Sequence, residues 1–434
     1  MARNDNRFMT GIASARTALA CNGGPPVRDP ARPWPRWPAP SQEAERNLLH
    51  VLHGDRWTLT APLGRAESFE RRFARMFARY TGTRHCVPVD HGSSALVIAL
   101  ESLGLRPADR VLVPALTWTA SASAALRAGL VPVLVDVDPV TGCVGPDDLD
   151  LDVDARAVVA VHWSCAMADI PAIADVADRH GMVVVEDCAQ AHGAEWQGRR
   201  AGSMGRIGCF SMQQGKVLTC GEGGAVVTDD DALAPRLEEL RADSRRHRSD
   251  SGRPGEQELV ETGSIMGVNF CLGEFQAAVL CAQLEILDRQ HEVRARNFAV
   301  LAALVDEIPG VRLLRPAPAQ TRMSIYEVPF VFDRLPEGMT NADIARALTA
   351  ELHTSFYITD TPLHVTPLLR PWTKSTLAPL ADQFVALHRD RTFPNASRFY
   401  EHSVVTHHST LLGSEPDMAD IAAAVAKVAA LVQD

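Results

Sequence analysis

The chain has 434 residues, 46% hydrophobic and 22% charged, a balance that suits a globular protein with one large and one smaller domain. A formal net charge of -10 excludes a general nucleic-acid binder, which needs a basic footprint. Nine cysteines with no C-x-x-C pair exclude a thioredoxin-like motif and suggest no zinc site; they read as reduced, mostly buried thiols of a cytoplasmic protein.

In chain order, residues 1–40 read as an N-terminal arm that ends in the Pro/Trp-rich stretch Arg32–Pro40. Its prolines lack an N–H and restrict the residue before them, so the stretch cannot be helical. It is expected to lie over another surface, a disordered leader over residues 1–30 being the plainer alternative. No apolar h-region of a secretory signal is present, and an apolar run such as Phe298–Val305 is too short to span a bilayer.

From about residue 66, apolar runs predict strands at Cys86–Val89, Arg110–Val113, Val131–Val135, Ala157–Val161, Met182–Glu186, Cys209–Met212 and Ala225–Thr228. Helical periodicity between the earlier ones, at Ser93–Leu103, Ser121–Ala128 and Ile170–His180, predicts a largely parallel sheet covered on both faces. A Gly-rich loop instead of a helix joins the last two strands, a local exception to the winding. A proline-free helical stretch follows at Leu272–Leu304. A strand near Val328–Phe332 and helices near Asn341–Leu352 and Met418–Val432 then complete a mixed region. The expected division is an arm (1–40), a large domain (41–290) and a small C-terminal α+β domain (291–434), with no internal repeats.

The chemistry centres on Asp187 and Lys216. Asp187 follows an apolar strand, at the carboxyl edge where open α/β sheets bind ligands. A carboxylate there can hold a pyridinium nitrogen protonated and keep the ring an electron sink. Lys216 follows another strand, close to Ser211 and before Gly221-Glu222-Gly223-Gly224. A desolvated lysine attacks aldehydes, and glycines admit a bulky cofactor. Alone, Asp187 would read as a turn cap and Lys216 as a surface lysine. Upstream, His91-Gly92-Ser93-Ser94-Ala95 opens a helix and forms a candidate phosphate cradle, a simple Ser N-cap being an equal alternative. Trp118 follows the next strand and could stack on a planar ring, although a lone aromatic is more often core. Together these features point to pyridoxal 5'-phosphate.

The run Glu186-Asp187-Cys188-Ala189-Gln190-Ala191-His192-Gly193 and the run Phe210 to Thr219, with Gln214-Gly215-Lys216-Val217-Leu218-Thr219, carry a resemblance. Gly221-Glu222-Gly223-Gly224, Leu240 to Arg245 and Asn269 to Gln276 extend it. The sequence resembles the DegT-type sugar aminotransferases of fold type I from about Trp34 onward. It resembles in particular the branch that aminates scyllo-inosose and 2-deoxy-scyllo-inosose with L-glutamine as donor. The resemblance implies that Lys216 forms the Schiff base and then moves the proton. It implies that Asp187 pairs with the pyridine nitrogen and Gln190 contacts the ring's phenolic oxygen. Ser93, Ser94 and Ser211 would bind phosphate, and Trp118 would stack on the ring. Asn269 would reach the phosphate of the neighbouring subunit, which implies a homodimer with shared sites.

Two departures qualify this. His91-Gly92 stands where the family usually has Ser-Gly. The segment Phe356 to His364 is shorter than in relatives and gains the carboxylate Asp360, which leaves the acceptor, a keto-cyclitol or keto-sugar, open. Tyr357 and His364 are the candidate acceptor residues, and His162, His192, His407 and His408 read as structural. Sugar dehydratases of this family carry histidine in place of the lysine, and Lys216 argues against them. An aminohydroxybenzoate-type synthase keeps the lysine and stays open. A non-enzymatic cofactor-binding regulator is disfavoured, because no helix-turn-helix is appended. No G-x-G-x-x-G marks a dinucleotide site.

Overall fold

The structure is a computed structural model that describes residues 18–61, 67–248, 253 and 255–431. The ends of two predicted segments, residues 1–17 of the arm and Val432 of the last helix, lie outside the described residues.

Chain-initial helices α1 (Gln42–His53) and α2 (Phe69–Thr81) are each started by a serine. The Ser41 and Ser68 hydroxyls accept the N–H groups of Ala44 and Arg71, donors that the first turn leaves without a helical partner. Seven strands follow: β1 (His85–Val89), β2 (Arg110–Pro114), β3 (Val131–Val135), β4 (Ala155–Val161), β5 (Val183–Asp187), β6 (Ile207–Ser211) and β7 (Gly224–Thr228). They form one sheet in the order β1-β7-β6-β5-β4-β2-β3. Strands β6, β5, β4, β2 and β3 are parallel, and β7 is antiparallel to both of its neighbours. The exception falls where the Gly-rich loop replaces a crossover helix, since only a crossover returns the chain in the same direction. Helices α3 (Gly92–Ser102), α4 (Ala120–Arg127) and α5 (Ile170–Arg179) connect the earlier strands, and α6 (Leu233–Arg241) follows β7.

Near-continuous valine runs suit strands buried on both faces, and every residue of β3 is buried although it is an edge strand. His388, at the end of a later helix (Ala378–His388), closes part of that edge by accepting the Leu134 N–H at 2.8 Å through Nε2. Across β1, the buried pair Arg241–Glu70 (2.6 Å) ties α6 to α2, and the same guanidinium donates to the Pro88 carbonyl at 3.1 Å.

Helix α7 (Glu274–Val305) runs 32 residues with no proline or glycine inside it, so the expected boundary at 290/291 falls within a continuous helix. It packs on α1 and α2 at one end and reaches a second sheet at the other. That sheet contains β8 (Val311–Leu313), β9 (Glu327–Phe332), β10 (Phe356–Ile358) and β11 (Ser403–His407) in the antiparallel order β8-β9-β11-β10. Helices α8 (Asn341–Leu352) and α9 (Glu415–Ala429) and a short helix at Pro394–His402 complete this part.

The described part of the arm crosses it. Buried Arg28 pairs with Asp417 at 2.7 Å and Asp420 at 2.8 Å, lies over the Trp34 ring, and is seconded by Arg32 on the same carboxylates. The Trp34 indole donates to the Leu352 carbonyl at 2.7 Å. Among the described residues no helix is long and apolar enough to cross a membrane.

Candidate active site

The carboxyl ends of β5 and β6 are neighbours in the sheet and carry Asp187 and Ser211. Period-two alternation decides which β5 carboxylate faces the ligand side. Glu186 points the other way, where it accepts the N–H groups of Gly202 (2.8 Å), Met204 (2.7 Å) and Gly205, and the His162 Nε2–H (3.1 Å). Asp187 lines a cavity of about 400 Å³, together with Gly92, Ser93, Thr117, Trp118, Gln190, Ser211, Lys216 and Tyr326.

At one end of this cavity, α3 begins hard against β6. A Cβ built on Gly92 would lie 2.5 Å from Ser211 Cβ, and one on Gly224 would lie 2.6 Å from the His91 carbonyl. Only glycine permits that approach, which sets the open N–H groups of the helix start beside the Ser93 and Ser211 hydroxyls. Asp187, only 5% exposed, receives the Ser121 hydroxyl at 2.8 Å and the Ala189 N–H at 3.1 Å. Burial still pushes its carboxyl above the ordinary value, against those two hydrogen bonds and the nearby Lys216 charge. Gln190 is held by the Ser164 N–H, which its side-chain oxygen accepts, leaving the amide –NH2 as a donor. Burial lowers the Lys216 amine below the ordinary lysine value, with Asp360, Glu327 and Asp187 pulling the other way. Its Nζ lies 3.9 Å from the centroid of the Tyr326 ring.

A second cavity of about 390 Å³ shares Thr117, Trp118 and Tyr326 with the first. Its remaining wall holds Thr119, Glu327, Tyr357, Thr359, Asp360, Thr361 and Thr366 with the apolar Ile358 and Leu368, and no lysine, arginine or histidine lines it among the described residues. Buried Glu327 accepts the Tyr357 hydroxyl at 3.1 Å and the Ser164 hydroxyl at 3.4 Å. Burial, and Asp360 after it, push Glu327 well above the usual carboxylate range, and burial likewise raises Asp360. Thr359 is 3% exposed and its hydroxyl has no partner. A buried hydroxyl left in this way costs free energy unless a ligand meets it.

Of the residues expected from the sequence, Lys216, Asp187, Ser93, Gln190, Ser211 and Trp118 come together around the first cavity, with Trp118 more than half exposed. Tyr357 and Asp360 line the second. Three do not join them. Ser94 is buried and does not line the first cavity. Asn269 is exposed and lies outside both cavities of its own chain. His364 also lies outside both: the Leu363 N–H donates to the Ala115 carbonyl at 2.7 Å and buries Leu363, which turns the next side chain outward against Phe393 and Ser397. The sequence reading missed Ser121, Tyr326, Glu327 and Thr359. Glu327 had a signal, a lone carboxylate opening the apolar strand β9; Ser121, the second residue of its helix, had none.

A mostly parallel sheet with a buried carboxylate and a desolvated lysine at its carboxyl edge defines a fold-type-I enzyme scaffold. The chain belongs to the DegT/DnrJ/EryC1/StrS aminotransferase family, whose model matches residues 41–426. It is 46% identical to the L-glutamine:2-deoxy-scyllo-inosose aminotransferase of Streptoalloteichus tenebrarius over 418 residues, 94% of this chain and 97% of that one. It is 44% identical to the L-glutamine:scyllo-inosose aminotransferase of Streptomyces griseus over 419 residues, 95% and 97% of the two chains. Among solved structures, 3-amino-5-hydroxybenzoic acid synthase superposes with a TM-score of 0.76 at 30% identity, covering 92% of this chain and 99% of that one.

Proposed function

We propose that this aminotransferase binds pyridoxal 5'-phosphate in the first cavity and transfers an amino group from L-glutamine to the ketone carbon of a cyclitol held in the second. The observation that carries the reading is the convergence of Asp187, Lys216 and the Gly92–Ser211 cradle on one cavity. The donor set fits the cofactor: an anion cradle for a phosphate, a buried carboxylate for a ring nitrogen, an amine for an aldehyde. Ser93 and Ser211 would hold the phosphate, Gln190 would donate to the ring oxygen, and Trp118 would cover the ring face. When bound, the cofactor supplies a carbonyl that condenses with amines and a ring that stores an electron pair.

Lys216 has the protein's own part in the chemistry. Its Nζ would take the proton from the carbon that bears the donor's amino group and pass it to the cofactor's carbonyl carbon; in the second half it would take that proton back and deliver it to the former ketone carbon. Burial, which lowers the Lys216 pKa, supports this by favouring the neutral amine that can accept a proton. Asp187 would keep a proton on the ring nitrogen, and Ser121 and Ala189 hold its carboxylate in place.

The second cavity supports a polyhydroxylated acceptor. Glu327 and Asp360, whose pKa values burial raises, can each donate one hydrogen bond when protonated and only accept when ionised, while threonine and tyrosine hydroxyls accept and donate, so the wall can serve a ring that has a hydroxyl on most carbons. The relatives named above support L-glutamine as donor and an inosose-type ketone as acceptor, within the biosynthesis of an aminocyclitol natural product. We further propose a cytoplasmic homodimer in which Asn269 of each chain serves its partner's site. We read the chain as the arm, a cofactor-holding part over residues 41–290 and a covering part over residues 291–434, with α7 running unbroken across the second boundary.

The test is the visible absorbance of the protein loaded with pyridoxal 5'-phosphate. L-glutamine alone should bleach it with release of a keto acid, and adding scyllo-inosose or 2-deoxy-scyllo-inosose should restore it. A loaded protein that glutamine does not bleach would refute the donor. Bleaching that neither inosose reverses would refute the acceptor.

A further inference from the structure

We infer that Trp37, His407 and His408 are positioning residues for Lys216, clamping the backbone immediately before it from the opposite half of the molecule. The His407 Nε2 lies 2.9 Å and the His408 Nε2 3.2 Å from the Gly215 carbonyl oxygen. A carbonyl only accepts, so both ring nitrogens donate and both imidazoles carry their hydrogen on Nε2. For His407 this agrees with its other side, where Nδ1 accepts the Ser409 N–H at 3.3 Å. The Trp37 indole donates to the preceding carbonyl, Gln214, at 2.8 Å. On the far side of the same peptide, the Lys216 N–H donates to the Gln213 carbonyl at 2.8 Å.

The peptide plane leading into the Lys216 Cα is therefore fixed at both ends. The clamp also reaches the surface on which the amine rests. The His408 N–H donates to the Tyr326 carbonyl at 3.3 Å, and Tyr326 supplies the ring beneath Nζ. His407 is the cross-strand partner of Glu327 at the end of β11. Trp37 packs edge-on against His408 with ring centres 4.6 Å apart, so the arm closes the clamp. Loop carbonyls near a cofactor lysine have no reason to collect three side-chain donors unless the loop's position matters; a surface loop would leave them to water.

This rests on reading Lys216 as the cofactor lysine, but its test needs neither cofactor nor substrate. The chain has three lysines, Lys216, Lys374 and Lys427, so competitive acetylation by acetic anhydride, read by mass spectrometry across pH, resolves each one. Exposed Lys374 serves as the internal reference. In the cofactor-free protein the Lys216 titration midpoint should lie below that of Lys374. In Trp37→Phe and in His407→Leu, each lacking one donor, the loop relaxes toward solvent. The midpoint should rise by about one pH unit, a tenfold loss of reactivity below it. His407→Gln, which keeps an N–H at similar reach, should stay within about twofold of the parent. An unchanged midpoint in both donor-lacking variants would overturn the inference. So would an equal shift in His407→Gln and His407→Leu, which would mark a merely structural role. If the parent fails to bind pyridoxal 5'-phosphate, the functional reading falls, and the labelling still judges the clamp.

Discussion

Replacing Gly92 with alanine tests the cradle directly. In isolation the change should be mildly favourable, because alanine is the better helix former by up to about 1 kcal/mol. The structure reverses that sign. The new Cβ would meet Ser211 Cβ at 2.5 Å and Ser211 Cα at 2.9 Å, against a normal carbon–carbon contact of about 3.5–4.0 Å. The backbone of β6 cannot rotate away as a flexible side chain could, so α3 must retreat by about 1 Å. Such overpacking costs about 1–3 kcal/mol of stability. A retreat of that size also separates the helix start from Ser211, so a phosphate can no longer meet both. One hydrogen bond to a charged group, about 1.5–3 kcal/mol, corresponds to roughly 10- to 150-fold in affinity. Equilibrium titration of the cofactor-free protein with pyridoxal 5'-phosphate, followed by absorbance, should show that loss in Gly92→Ala. Thermal unfolding without cofactor should show only a modest drop. A variant that binds the cofactor like the parent would refute the cradle as described.

Other substitutions probe the remaining parts. Lys216→Ala should lose about 10²–10⁴ or more in single-turnover bleaching by L-glutamine while unfolding at the parent's temperature. Asp360→Asn removes the largest interaction raising the Lys216 pKa, so the amine becomes neutral at lower pH. The rising limb of the glutamine half-reaction should move toward acid, and a limb that stays or moves toward alkali would contradict the charge arrangement. Glu70 is held down to about 2 because Arg241 and His247 outweigh its burial. Its folded pKa is depressed, so its contribution is complete above the unfolded value near 4.5 and lost as pH falls toward 2. Glu70→Gln should accordingly cost about 3 kcal/mol in denaturant unfolding at pH 7, with the difference closing near pH 2–3. Arg28→Ala should cost about 2 kcal/mol, below the about 3–5 kcal/mol of a lone buried pair, because Arg32 still neutralises Asp417 and Asp420. Limited proteolysis should then cut the arm sooner.

All seven strands of the main sheet were legible as short apolar runs, because burial on both faces leaves little else to encode there. Asp187 and Lys216 stood out because each follows such a run. Strand order was not legible: that β7 sits between β1 and β6 depends on pairings distant in sequence. The acceptor wall was hidden for the same reason. Glu327 and Thr359 matter only once β9 and β10 approach the edge of the main sheet, and His364 looked apt only until Leu363 claimed the inward position. The prolines and tryptophans of the arm announced a docked segment, but nothing local told that Trp37 reaches a carbonyl 177 residues away.

Helix α7 has a mechanical consequence. With no glycine or proline within its 32 residues, it is a beam of about 48 Å and cannot bend at a point. A closing of the second sheet over the cavities that carries α7 with it would tilt the beam as a whole against α1 and α2. A tilt of only 5° about one end would carry the other through roughly 4 Å, enough to shut or open a cleft of this size. Such a motion would resemble the swing of a lever more than the folding of a hinge, and its stiffness would be set by the packing of α1 and α2 on the beam's base.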